Sequence, residues 1–307
     1  MKPIPTLPVR DGLAPSYFWL QPGHWRCMFD FLCERYAGVP PQAWRSRMQR
    51  GEVRNQHGEA LQPDSPYRVG DCIFYYRELA QPEAVIPVQE RILHLDEHLL
   101  VVDKPHFLPV IPGGRFVQET LLVRLKKTTG LEHLVPIHRL DRETAGVIVF
   151  SHRPETRGKY QSMFQQRTMR KVYEAIAPLR PELTLPLVHR SRMEEIPGQF
   201  FRMHEVSGEP NAETRISLIE ARGEFGLYRL EPVTGRRHQL RVHMAGLGIP
   251  IVHDLFYPQP VPVGVADDLD RPLKLLARSL SFIDPLDQSP RQFDSMRVLQ
   301  DAPAMPY

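Results

Sequence analysis

Six short segments between residues 91 and 284 have the length and side-chain alternation of strands: RILHLDEHLLVVDKP, AGVIVFSH, RKVYEAIAP, TRISLIEARGEFGLYRLEP, HQLRVHMAGLGIP and KLLARSLSFID. Helical candidates are fewer, chiefly VQETLLVRLKKTTG and PETRGKYQSMFQQR. Parallel strands need a long crossover, usually helical, between neighbours. Strands that follow one another without that alternation predict an α+β domain with a mixed or antiparallel sheet. The chain has no internal repeat, no GxxxxGK[ST] phosphate loop and no GxGxxG element.

A different pattern precedes this region. HWRCMFDFLCERYAG puts Trp25, Met28, Phe29, Leu32 and Tyr36 on one helical face, and Gly38 follows as a stop. PPQAWRSRMQRGEV predicts a second helix that starts on prolines and ends at Gly51. The stretch to Tyr76 then reads as strand, turn, linker and strand. This predicts an irregular leader over 1–23, a small module over 24–77, a linker over 78–88, a large domain over 89–300 and a tail over 301–307. Arg45, Arg47, Arg50 and Arg54 follow the pattern of a solvated basic face.

Bulk properties narrow the function classes. A length of 307 residues suffices for a large core plus a small one, and a net charge of +3 permits an anionic partner without requiring it. Cys27, Cys33 and Cys72 are too few and too scattered for a disulfide framework, which predicts reduced thiols and a cytoplasmic protein. The longest apolar runs are strand-sized, so no membrane span is expected.

Three stretches are over-decorated for plain core. In VPIHRLDRETAGVIVFS, Asp141 sits between Arg139 and Arg142 just ahead of an apolar strand. It is either a turn aspartate capping a local amide or a carboxylate kept ionised for nucleophilic or base chemistry. In RTMRKVYEAIAP, alternation puts Lys171, Tyr173 and Ala175 on one side and Val172, Glu174 and Ile176 on the other. Tyr173 either edges the core or offers its ring to a base. In LEPVTGRRHQLRVHMAGLGIPIVHD, a TGRR turn feeds an expected strand. Its Leu240 and Val242 would face one way, and Gln239, Arg241 and His243 the other, as a polar cleft wall. A zinc site from His238, His243, His253 and Asp254 is a further reading, weakened by the lack of a thiolate or second carboxylate.

Taken together these segments resemble the RluA-type pseudouridine synthases. HRLDRETAGVIVFS is similar to that family's HRLDxxTSG motif, VVDKPHFLPVIPGG to KPxGLxVxP, and RKVYEAIAP to KxYxAxV. LEPVTGRRHQLRVHMAGLGIPIVHDLFY is similar to LxPxTGRxHQLRVHxxxLGxPIxGDxxY, and LKLLARSLSFIDP is a looser match to LxLHAxxLxFxHP. All five lie in the family's order, between about residues 99 and 285. Ala145 stands for the motif serine, His253-Asp254 for its Gly-Asp, and Leu276 for its histidine. The front module resembles a degenerate form of the small RNA-binding module named for a ribosomal protein, with RNQHG where VNG is usual.

The resemblance implies a bisected mixed sheet of the pseudouridine synthase type and an isomerase that needs no cofactor and no metal. It implies catalytic roles for Asp141, Tyr173 and Arg241, with Arg241 pairing with the aspartate. Arg139, Lys171, Arg236, Arg237, Leu275, Arg45 and Arg50 become candidate RNA contacts: Arg139 fills the emptied stack, and Leu275 walls the uracil pocket. The expected partner is ribosomal or transfer RNA, and the expected state a monomer. A non-catalytic RNA-binding protein and a hydrolase using Asp141 on a nucleoside or glycoside are the rival classes.

Overall fold

The computed structural model describes residues 5–77, 83–261 and 267–300; the expected tail and residues 78–82 of the expected linker lie outside the described residues. Contacts divide the chain into two units, Met1–Val85 with Ile111–Glu132, and Ile86–Val110 with His133–Tyr307. In chain order the elements are β1 (Ser16–Trp19), α1 (Met28–Arg35), α2 (Pro41–Gln49), β2 (Val53–Asn55), β3 (Cys72–Tyr75), β4 (Arg91–Leu95), β5 (Leu99–Lys104), α3 (Leu121–Thr129), β6 (Val135–Pro136), β7 (Ala145–Ser151), α4 (Pro154–Gln166), β8 (Arg170–Pro178), β9 (Leu187–Ile196), β10 (Gln199–Val206), β11 (Ala212–Arg222), β12 (Phe225–Pro232), α5 (Gln239–Gly246), β13 (Leu275–Ile283) and β14 (Pro290–Asp294).

The first unit packs α1 and α2 with an antiparallel sheet ordered β1-β3-β2. The stretch expected to be an irregular leader carries β1, whose four residues pair with β3 from Ser16↔Tyr75 to Trp19↔Cys72. A four-residue strand among prolines is too short to show a period, so pairing with β3 defines it. The helix expected from residue 24 begins at Met28, and Phe31 joins Met28 and Leu32 in the core. Pro41 starts α2, where the missing proline N–H costs nothing, and Gly51 follows it at φ +68°. The basic face is only partly solvated: Arg47 is buried with its guanidinium 4.8 Å from the Trp44 ring. Residues 111–132 lie inside the range expected for the large domain but group with this first unit. The reason is α3, whose Val123 packs with Leu13 and Val117.

The second unit is built on an eleven-stranded sheet ordered β10-β9-β11-β12-β8-β13-β7-β5-β4, with β14 on β13 and β6 on β7. The sheet is mixed, as the strand pattern predicted. Its antiparallel ladders meet in one parallel pairing, β13 with β7, through Leu276↔Ala145 and Ala277↔Gly146. At that seam Gly146 has φ +112°, and a Cβ on it would lie 2.2 Å from the Ala277 carbonyl oxygen. Only glycine permits this approach. Two of the motif departures, Ala145 and Leu276, are direct partners across the seam and both are fully buried. An apolar pair therefore occupies the place where the family motifs have serine and histidine.

Candidate active site

HQLRVHM forms α5, a helix and not the expected strand. Six consecutive residues, Gln239 to Met244, are buried, so no exposed face betrays the helical period. The TGRR turn starts the helix through side chains: the Thr234 hydroxyl and the Arg236 N–H both donate to Gln239 Oε1, at 2.6 and 3.1 Å. His238 precedes it in the left-handed region at φ 54°. On the helix, Leu240 and Met244 join the cluster that packs Ala175, Leu230 and Leu275, while Val242 turns to Met193 and Met203. Gln239, Arg241 and His243 thus do not line one wall.

Burying Arg241 requires partners, and Asp254 supplies them. Its carboxylate accepts from Arg241 Nη2 at 2.7 Å and Nε at 2.8 Å, and also from the Phe256 and Tyr257 N–H groups. Both side chains are nearly or fully buried, at 1% and 0% exposure. This two-pronged pair leaves Nη1 free to turn elsewhere, and it donates to Asp141 Oδ2 at 3.3 Å. Burial would lower the guanidinium's pKa; the Asp254 hydrogen bonds and charge, with Asp141 behind them, raise it instead.

Asp141 lies in the turn ahead of β7, where its carbonyl accepts from the Thr144 N–H at 3.2 Å. Its side chain faces Arg241 and, at 3.8 Å, His238 Nε2. Burial pushes the carboxyl up, but the imidazole and guanidinium facing it hold it below the ordinary carboxylate range. Tyr173, half-buried on β8, packs against the cluster that contains Leu275. Burial, then the Asp141 charge, push its phenol above the ordinary tyrosine value, so it stays protonated. The arrangement offers an ionised carboxylate beside a fixed cation and an aromatic face, suited to covalent or proton-transfer chemistry at a sugar whose base stacks on the ring.

The other candidates take varied places. Leu275 is buried opposite Ala175. Lys171 Nζ reaches the Thr234 carbonyl at 3.5 Å, and burial with nearby Arg167 lowers its pKa. Arg236 donates to the Asn211 carbonyl at 3.3 Å, and Arg237 pairs with Glu195 at 3.0 Å. Arg139 is exposed. In the other unit, the Arg45 guanidinium lies 4.6 Å from the Phe29 ring and Arg50 pairs with Glu52 at 2.7 Å. Arg142, the other arginine beside Asp141 in sequence, turns away from it and forms a double hydrogen bond to Asp267 at 2.6 and 2.7 Å.

The four residues weighed as zinc ligands separate. Asp254 holds Arg241, His238 meets Tyr257, and His253 pairs with the Pro272 carbonyl. His243 turns to His189 and Glu205, with ligand atoms all within 4.8 Å of one another. Hydrogen bonds satisfy that trio: His243 with Thr214 and Ser191 at 2.9 and 3.2 Å, Glu205 with His189 at 2.7 Å.

Two supports escaped the sequence reading. Fully buried Lys104 donates to the carbonyls of Pro105, Leu108 and Arg142 at 2.9, 2.9 and 3.0 Å, which anchors the turn beside Asp141. Burial lowers it to about 7, against the raising charges of Glu143 and Asp141. The DKP triplet was the signal for it. His238 was weighed only as a metal ligand, and the TGRRH turn ahead of Arg241 was its signal.

Comparison with known proteins identifies the family. The RNA pseudouridylate synthase family model matches residues 98–246. An uncharacterised RNA pseudouridine synthase of Synechocystis is 34% identical over 77% of this chain and 81% of its own length. A dual-specificity RNA pseudouridine synthase RluA of Pasteurella multocida is 32% identical over 64% and 88%. A solved structure, human RNA pseudouridylate synthase domain containing 1, shares the fold at a TM-score of 0.56 and 23% identity, covering 68% of this chain and 84% of its own. The chain belongs to the RluA-type RNA pseudouridine synthase family. It is an isomerase that converts uridine in RNA to pseudouridine.

Proposed function

We propose that the enzyme isomerises uridine in structured ribosomal RNA, with Asp141 as the reacting carboxylate. The observation that carries the reading is Arg241 Nη1 against Asp141 Oδ2 at 3.3 Å, with Asp254 holding the rest of the guanidinium. The target base leaves its stack at a cost of a few kcal/mol. Stacking on Tyr173 returns about 1 to 3 kcal/mol. Asp141 then either attacks the anomeric carbon or takes a sugar proton to give a glycal. In both routes the bond to ring nitrogen breaks and the uracil turns; carbon 5 then bonds the anomeric carbon as the aspartate ester breaks or as the sugar proton returns, and carbon 5 loses its own proton.

Arg139 fills the vacated stack, and Leu275 walls the uracil site. Lys171, Arg236 and Arg237 meet phosphate on the catalytic unit, and Arg45 and Arg50 on the small unit. That ribosomal-type small unit supports the ribosomal target. Transfer RNA is the second reading; the Pasteurella relative is named for dual specificity, so one active site of this type can serve more than one target. The enzyme works as a cytoplasmic monomer, in keeping with three free cysteines.

The test is tritium release from ring carbon 5 of ribosomal and transfer RNA transcripts carrying tritiated uridine. Ribosomal transcripts should release tritium in proportion to pseudouridine formed, with no free uracil. Free uracil would identify a hydrolase, and release from transfer RNA alone would reverse the target. Asp141→Asn should lose at least about 10³-fold in rate. Tyr173→Phe should keep most of it if stacking is the tyrosine's whole contribution.

A further inference from the structure

We infer that His238 is a positioning residue: a neutral imidazole with its proton on Nε2, which presents an N–H to the Asp141 oxygen that Arg241 already engages and leaves the other oxygen free to react. The inference rests on the reading of Asp141 as the reacting carboxylate.

The argument is a count of hydrogens. The Met203 N–H donates to the Tyr257 hydroxyl oxygen at 2.9 Å. That oxygen is therefore an acceptor from the backbone, and its own hydrogen is available for another group. His238 Nδ1 lies 2.9 Å from it. Burial holds the Tyr257 phenol above its ordinary value, so the hydrogen stays in place. Among the described residues Nδ1 is the acceptor within hydrogen-bond reach of that hydrogen, so it takes it, and a neutral imidazole then carries its one hydrogen on Nε2. Nε2 faces Asp141 Oδ2 at 3.8 Å. This is longer than a hydrogen bond, as such contacts often are before substrate closes the site.

The ring is held in this orientation. It stacks on Phe256 at 5.7 Å and 21°, and meets Tyr257 edge-on at 5.7 Å and 84°. The left-handed backbone of His238 fixes the entry of the side chain. The charged groups around the ring are Asp141, Glu143 and Asp254, which favour its protonation, and Arg241, which opposes it. Burial comes first among these influences, and the net direction is downward. Asp141 itself faces His238, Arg241 and Lys104; with the imidazole neutral, the Arg241 guanidinium supplies the charge that holds the carboxyl low and the Nε2–H adds its dipole. A charged imidazole would share the carboxylate with Arg241 as a second cation and hold a transferable proton against it. A neutral donor orients the carboxylate without quenching it.

Two measurements decide the matter in the full chain. Imidazole nitrogen–proton correlation spectra of ¹⁵N-histidine protein report the tautomer without substrate, and His238→Phe identifies the signal. The expected spectrum is a neutral Nε2–H imidazole at neutral pH, giving way to a tautomer mixture in Tyr257→Phe. An imidazolium or an Nδ1–H form at neutral pH overturns the inference. The second measurement is single-turnover tritium release from tritiated ribosomal transcripts across pH. His238→Phe keeps the ring on Phe256 but removes both nitrogens. It should slow turnover about 10- to 100-fold with KM unchanged, and move the acid limb up by about one unit. His238→Gln, which restores an N–H near Nε2, should recover most of both.

An unmoved acid limb and rate in His238→Phe overturn the inference, as does a loss that glutamine leaves uncorrected. If His238→Phe fails to fold, Tyr257→Phe identifies the signal by its tautomer change and His238→Gln carries the kinetic arm, where it should keep near wild-type rate. Should wild type release no tritium from ribosomal transcripts, the target reading falls by itself. The imidazole spectra then still decide the tautomer, and carbon-detected titration of Asp141 still decides the positioning.

Discussion

Arg241 hydrogen-bonds two carboxylates with different duties. Asp254 takes Nε and Nη2, and Asp141 takes Nη1. This division yields two predictions. The first concerns pH. A carboxylate whose folded pKa is lowered stabilises the fold above the ordinary aspartate range, and that contribution fades as pH falls through the lowered value. The acid limb of turnover should therefore lie below the ordinary aspartate range, and the Tyr173 phenol, raised above 10, should contribute no alkaline limb below that value. A pH–rate profile with its acid midpoint at or above the ordinary aspartate value would contradict the assigned environment. The second concerns Asp254→Ala, which leaves a fully buried guanidinium without its double partner. Removing one member of a buried pair costs about 3 to 5 kcal/mol, read as a fall in the urea midpoint. Turnover should drop with it, because Nη1 loses the fork that aims it.

Elements carry the site by where their backbones meet. The parallel seam of β7 and β13 sets the strand that follows Asp141, and Gly146 makes that seam possible. Gly146→Ala combines a backbone that alanine tolerates poorly with a Cβ forced onto a carbonyl. About 3 to 5 kcal/mol of destabilisation is expected in denaturant unfolding. The alternation of KVYEAIA was legible, because β8 does send Tyr173 and Ala175 to one packing cluster and Ile176 to another. The helix α5 was not legible. Its apolar residues serve two clusters at once and its polar residues are buried in hydrogen bonds, so neither strand nor helix period stands out. The same hidden bonds concealed His238 and Lys104. Their roles depend on Tyr257 and on the carbonyl of Arg142, partners that only the fold brings within reach.

At the scale of the molecule, the chain crosses between its two units more often than a sequence boundary near residue 85 suggests. It enters the second unit at Ile86, returns to the first over Ile111–Glu132, and leaves again at His133. The returning segment is no passive loop. Leu121, Val123 and Leu125 of α3 are buried, and Val123 packs with Leu13. Gly12 sits so close to the helix that a Cβ on it would lie 2.9 Å from the Val123 carbonyl oxygen. Deleting residues 1–85 alone removes Gly12 and Leu13 from α3 and leaves the helix tethered to the catalytic unit. A buried valine of this kind, once uncovered, is worth about 1.5 to 3 kcal/mol of lost burial. That truncation should bind a hydrophobic dye and elute as aggregate in size exclusion. Removing residues 1–85 and replacing 111–132 with a short polar linker takes out the whole first unit, and should restore a dye-silent monomer that retains Asp141, Tyr173 and Arg241. Equal behaviour of the two truncations would mean that α3 does not depend on residues 1–85 for its stability.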